Sequence, residues 1–123
     1  MKKIYALLPA LLLLRVAVSQ VIPEWTTLYN SSNGFGDLGY SIEVDASGNV
    51  LVAGASLNPT SNTTDALIVK FGPAGDMRWS MRYAGNGNWD DAFNAVAVDD
   101  ENNIYLAGFA DEGLPMTMFR RVL

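Results

Sequence analysis

The sequence predicts an all-β protein built from antiparallel four-stranded units. Three observations carry this. The chain matches itself at a fixed offset of 54 residues, and its apolar residues alternate with period two between clusters of turn-forming residues. Beyond the N-terminal apolar run, no stretch has the spacing of an amphipathic helix.

The repeat is ungapped. It sets Trp25 on Trp79, Tyr29 on Tyr83, Asp37 on Asp91, Val44-Asp45 on Val98-Asp99, Asn49 on Asn103 and Ala53-Gly54 on Ala107-Gly108. From Trp25 to Ser56 it gives eight identities in 32 pairs, with similar residues between them, such as Ile42 on Val96 and Val52 on Leu106. The identities fall on residues of distinct turn or packing character, so shared composition does not account for them.

The elements follow in chain order. Met1 to Ser19 reads as a secretory signal: Lys2 and Lys3 make a basic start, Ile4 to Leu14 are apolar, and Ala17-Val18-Ser19 offers small residues before a cut that leaves Gln20 first. That 11-residue run is too short to cross a bilayer core of about 30 Å as a helix. The alternative is a retained N-terminal anchor, because apolar character resumes from Val16 to Ile22. Residues 20–39 are then expected to hold the last strand of a preceding unit, Trp25 to Asn30, and an inter-unit turn.

Residues 40–83 read as one whole unit. Its first strand, Tyr40 to Val44, meets a hairpin turn Asp45-Ala46-Ser47-Gly48-Asn49, in which Gly48 can take positive φ and the Asp45 carboxylate can accept backbone N–H groups. Val50 to Ala55 returns, and its small Ala53-Gly54-Ala55 end suits close approach of a neighbouring backbone. Leu57 to Thr64 is a Ser/Asn/Thr-rich loop before a third strand, Ala66 to Phe71. The turn Gly72-Pro73-Ala74-Gly75-Asp76 leads to the fourth, Met77 to Tyr83.

Residues 84–111 begin a second unit, with Asn102 replacing the turn glycine; Asn tolerates positive φ, so the hairpin is expected to survive. In residues 112–123 the repeat register is expected to fail, with Phe119 at the counterpart of Asp65 and Arg120-Arg121 where Ala66 and Leu67 pack. This atypical tail suggests a truncated or frame-shifted reading. A chain that completes a ring by oligomerising and a small open sheet are the alternatives.

Four short antiparallel strands per repeat is the signature of a β-propeller blade. A β-sandwich does not predict a fixed internal repeat, and the coils of a β-solenoid are shorter than 54 residues. The chain then holds an incomplete propeller of about one and three-quarter blades, against the roughly 216 residues that four blades of this period would need. Such units bury their faces only by stacking on one another.

The run from Lys70 to Ser80 (KFGPAGDMRWS), followed by Tyr83-Ala84-Gly85, Asp90-Asp91, Ala95 to Asp99 and Asn103-Ile104-Tyr105-Leu106-Ala107-Gly108, resembles the bacterial β-propeller repeat called SBBP. That family's text runs approximately K-x-D-x-x-G-x-x-x-W, a Gly-rich turn with D-D, then A-I-A-V-D-x-x-G-N-x-Y-V-x-G. The likeness covers about 85 of the 123 residues. It departs from the family at Gly72, where Asp is preferred, and at Gly36-Asp37, where the second unit has Asp90-Asp91. The resemblance implies a secreted or cell-surface, non-enzymatic binding or scaffold module of a larger bacterial protein. It implies further blades, of the same or a downstream chain, as partners, along with an extracellular protein or glycan ligand.

Composition bounds the chemistry. With no His and no Cys, there is no Ser-His-Asp or Cys-His machinery, no thiolate or imidazole zinc site and no disulfide framework. Without residues 1–19, five basic residues face thirteen acidic ones, a net charge of −8. That balance disfavours nucleic acid and anionic membrane surfaces. No membrane span is expected after signal cleavage.

No catalytic residue and no cofactor is expected. Asp90, Asp91, Asp99, Asp100 and Glu101 form the densest acidic cluster and are weak Ca²⁺ candidates, although the Asp-x-Asp-x-Asp-Gly spacing of a strong calcium loop is absent. Turn capping is the plainer role. Gly75-Asp76-Met77-Arg78-Trp79 has the G-x-x-x-W spacing also seen in quinoprotein propellers, where the Trp docks blade on blade; a packing role is expected here. Paired carboxylates could in principle hydrolyse glycosides, but nothing in the sequence places an acid in an apolar pocket. A quinoprotein or carbohydrate-active propeller enzyme, or a gene product without independent function, remains the alternative. Trp89 and Phe35 follow the inter-unit turns as packing plugs or sugar-stacking residues. Structural roles are expected for Trp25, Trp79, Tyr29, Tyr83, Asp45, Asp99, Asn49, Asn103, Gly54 and Gly108.

Overall fold

The computed structural model describes residues 23–31 and 36–110, together with the backbone of residues 117–121. The signal reading of Met1 to Ser19 and the aromatic Phe35 lie outside the described residues. Among these residues every regular element is a strand, in the order β1 (Asp37–Val44), β2 (Val50–Asn58), β3 (Thr63–Phe71), β4 (Met77–Tyr83), β5 (Asp91–Val98), β6 (Ile104–Ala110) and β7 (Thr117–Arg121). They form an antiparallel four-stranded sheet, β1-β2-β3-β4, and an antiparallel three-stranded sheet, β5-β6-β7.

The strands run further than hydrophobic alternation suggests. β2 and β3 continue pairing through Ser56↔Asp65, Leu57↔Thr64 and Asn58↔Thr63, so the expected loop from Leu57 to Thr64 contracts to a tight turn. Asn62 makes that turn possible at φ 57°, donating its N–H to the Asn58 carbonyl at 2.8 Å. Polar side chains hide these strand ends from a reading based on apolar period, since backbone pairing continues regardless of side-chain polarity. β1 likewise starts at Asp37, three residues before the expected start at Tyr40, because a bulge between Gly39 and Ser41 interrupts the alternation.

The second sheet reproduces the first at the 54-residue offset. β5 spans the counterparts of β1 end for end, and the irregularity between Gly39 and Ser41 recurs between Phe93 and Ala95. Gly48 at φ 77° and Asn102 at φ 63° occupy the same turn position, so Asn substitutes as expected. The tail departs from expectation. β7 does pair with β6, but it arrives four residues sooner than the offset extrapolates: Arg121 stands opposite Ile104, as Phe71 stands opposite Val50. Phe119 therefore takes the register position of Val69, not Asp65, and Arg120 that of Lys70. A shorter connection restores register that a fixed offset loses.

Residues 25–30 form no strand in either sheet, in contrast to the expected last strand of a preceding unit. The segment runs alongside the first sheet, where Tyr29 packs against Leu67, Val69 and Phe71.

Each side of the first sheet has its own cover. The forward face, with Leu51, Ala53, Ala66 and Ile68, joins Phe93, Val96, Ile104 and Leu106 of the second sheet in the main core. A hydrogen bond from the Val96 N–H to the Ser41 hydroxyl, 3.2 Å, ties β5 to β1 across this junction. The rear face, with Val50, Val52, Leu67, Val69 and Phe71, carries a smaller cluster against Tyr29. At the 54-residue offset the core residues of the second sheet correspond to Gly39, Ile42, Val50 and Val52. The forward face of one sheet thus covers the rear face of the next.

Candidate functional site

At the hairpin end of each sheet an aspartate closes the turn. Asp45 Oδ1 accepts the N–H groups of Ser47 and Asn49, both at 2.9 Å, and both carboxylate oxygens accept the Asn49 amide. Asp99 repeats the scheme with Glu101, Asn103 and the Asn103 amide. The two turns differ in their last partner. Lys70, on β3, reaches Asp45 Oδ2 at 2.9 Å, whereas Tyr105, on the returning strand itself, donates its hydroxyl to Asp99 Oδ2 at 2.9 Å.

Burial alone would raise the Asp45 carboxyl. The Lys70 ammonium, the Asn49 amide and the two backbone donors outweigh it and hold the group at about 2. Asp99 is also held below the ordinary carboxylate range, chiefly by the Asn103 amide.

At the opposite end of the first sheet a polar row crosses all four strands. Ser56 donates to Asp37 Oδ1, Arg82 donates to Ser56 and, at 3.1 Å, to Asp65 Oδ2, and the Asn58 amide donates to Asp65 at 3.2 Å. Register puts these residues side by side: Asp37 faces Ser56, Ser56 faces Asp65, and Arg82 stands opposite Leu67, two places along β3 from Asp65. Burial pushes Asp37 upward, but the Ser56 hydroxyl, Ser31 and the Arg82 charge together bring it below its ordinary value. In the second sheet Asp91 accepts the Gly85 N–H at 2.7 Å, as Asp37 accepts that of Ser31 at 2.9 Å. Ala110 stands where Ser56 would continue the row.

Beside this row a groove of about 240 Å³ opens on the rear face of the first sheet, between the strands and the N-terminal segment. Tyr29, Asp37, Gly39, Gly54, Val52 and Leu67 are among its lining residues. It is apolar apart from its Asp37 end, and that carboxylate is already engaged by Ser31 and Ser56. A general acid needs a raised pKa near working pH. The three shifted carboxylates lie on the other side, as anionic hydrogen-bond acceptors that fix backbone.

The five acidic candidates do not converge. Asp90 and Asp91 lie at the start of β5, and Asp99, Asp100 and Glu101 beyond its far end, about 26 Å away for the eight residues from Asp91 to Asp99 at about 3.3 Å each. Asp90 instead accepts the Thr64 N–H at 2.8 Å and the Thr64 hydroxyl at 3.1 Å, stapling the second sheet to β3. Among the described residues no three carboxylates cluster closely enough to hold a metal ion. Nearness in sequence misled because an intervening strand separates the two groups.

The structural candidates come together as packing and turn residues. Trp25 lies on Phe71, with ring centroids 6.5 Å apart, and sits so close over Gly75 that a Cβ there would fall 2.8 Å from its ring. The glycine of the G-x-x-x-W spacing thus receives the tryptophan of the preceding segment, while Trp79 and Tyr83 pack against the main core. A Cβ at Gly54 would fall 1.8 Å from the Leu38 carbonyl oxygen, and one at Gly108 1.9 Å from that of Ala92. Trp89 is exposed. Sequence reasoning missed Lys70, Arg82 and Ser56, whose roles depend on cross-strand register and leave no local signal. No family model and no curated protein matches the chain.

Proposed function

We propose that the chain is a non-catalytic repeat module of an exported protein, in which the two sheets are successive β-propeller blades of the SBBP kind. The observation that carries this reading is the recurrence, at one fixed spacing, of strand bounds, bulge, turn aspartate and face-to-face stacking. A unit of this sort works as a spacer and display surface: the polar groups that recur at the repeat spacing hold turns and strand ends, and its apolar faces pack on neighbouring units. The departure at Gly72 and the short approach to β7 are variations in connection, leaving the stacked faces intact.

Tandem duplication of residues 40–93 tests the reading. If the unit is a stacking repeat, the enlarged chain unfolds in urea in one transition with a higher midpoint and a steeper m-value. A separate second transition, or a lower midpoint, contradicts it. Export is tested by N-terminal sequencing of the product recovered outside the cytoplasm of a bacterial host, which is expected to start at Gln20.

A further inference from the structure

We propose that copies of this chain associate head to tail, the forward face of the second sheet in one copy seating on the rear face of the first sheet in the next, with Phe109 entering the groove beside Gly39. The inference rests on reading the two sheets as successive units. Val96 is 7% exposed on the rear face of the second sheet because the first sheet covers it, while its counterpart Ile42 is 66% exposed and Val44 55%. Among the described residues this surface is therefore buried in the second sheet and left exposed at Ile42 and Val44 in the first, and what buries it in the second is the forward face of a unit of this same kind.

The open forward face is that of the second sheet, with Ala95, Ala107 and Phe109 at the counterparts of Ser41, Ala53 and Ala55. The two open faces differ from the closed junction in a compensating way. Inside the chain the bulk comes from the rear side, where Phe93 is fully buried in the same cluster as the small Ala53. At the open faces the rear side has Gly39 in place of Phe93, leaving the groove of about 240 Å³, and the forward side has the 42% exposed Phe109 in place of Ala55. By the same offset Gly39 meets Ala107, the counterpart of Ala53, so two small residues leave space there, and Phe109, two places along β6 on the same face, is the large side chain beside it.

The N-terminal segment fits the same arrangement. Residues 23–29 are the counterparts of β4 yet form no strand, and they lie along the first sheet on the side that a preceding unit would occupy. In the second sheet β7 is an edge, in the position whose counterpart β3 pairs with β4. The segment of one copy is placed to add to that edge in the other. Because the contact joins unlike faces, it generates a closed ring or an open chain of copies.

The absence of cysteine makes the test clean. Ser41 meets Val96 within the chain, so Ala95 of one copy is expected to meet Ile42 of the next. An equimolar mixture of an Ile42→Cys chain and an Ala95→Cys chain is expected to give a disulfide-linked dimer on mild oxidation, at least about tenfold more than either chain alone. Adding Phe109→Glu to the Ala95→Cys chain is expected to abolish the cross-link without lowering the melting temperature. Cross-linking of either single variant with itself, or none in the mixture, overturns the proposal, as does a mass by light scattering that stays monomeric up to millimolar concentration. A Ser41→Cys/Val96→Cys chain separates the two failures. If it forms its internal disulfide while the mixture does not cross-link, only the association is wrong; if it does not, the stacking of successive units is wrong and the association falls with it.

Discussion

Asp45 and Asp99 perform the same task with different help, and the difference is measurable. Asp45 is buried and relies on Lys70, a residue 25 positions away that β3 brings across. Its folded pKa of about 2 lies below the unfolded value of 3.8, so its contribution is present above pH about 4 and is lost as pH falls toward 2. Urea titrations between pH 7 and pH 2.5 are expected to show stability falling on the acid side, less steeply in Asp45→Asn. Asp45→Ala, which strands Lys70 and two backbone donors, is expected to cost about 2–3 kcal/mol at pH 7. Replacing Lys70 with Met is expected to destabilise the first turn only, whereas Tyr105→Phe acts on the second only; amide exchange of the N–H groups of Asn49 and Asn103 reads the two separately. The aspartates, the Asn residues and the turn glycine were legible because hairpin chemistry is local. Lys70 and Tyr105 were not, since each depends on what a strand several residues away presents to the turn.

At the scale of elements, the start of β1 lies tightly against its neighbour β2. Gly54 and Gly108 lie against the carbonyls of Leu38 and Ala92, immediately before the bulge in each unit, and backbone offers no rotamer by which to yield. Gly54→Ala is therefore expected to separate the first part of β1 from β2 and to lower stability by about 3 kcal/mol, read from the urea midpoint at unchanged m-value. A sequence reading finds these glycines from the small-residue run and the repeat. It misplaces the strand starts, because a bulge shifts alternation by one residue and the paired ends of β2 and β3 are polar. It also misjudges β7: four fewer residues in a connection look like lost register when one offset is imposed on the whole chain.

At the scale of the whole molecule, the question is how sheets with two apolar faces are covered. The forward face of the first sheet and the rear face of the second meet in one core around Phe93, Leu51, Ile68 and Ile104. Phe93→Ala is expected to cost about 3–5 kcal/mol, since close packing leaves a cavity where the ring stood. The repeat predicted that units stack, and the period predicted which residues share a face. That Phe93 corresponds to Gly39, and Phe109 to Ala55, is visible in the repeat; which face of its sheet each occupies was not, because the bulge in β1 and β5 shifts the alternation.

The most direct measurement of that stacking compares two repeat-equivalent positions in a chain without native thiols. Under native conditions at micromolar concentration, the Ile42→Cys variant is expected to react with a thiol reagent close to the rate of a free cysteine, and the Val96→Cys variant at least about 100-fold more slowly, since its exposure requires opening of the core. Reaction of the Val96→Cys variant as fast as a free cysteine would contradict the account, because it would mean that the first sheet does not cover the second.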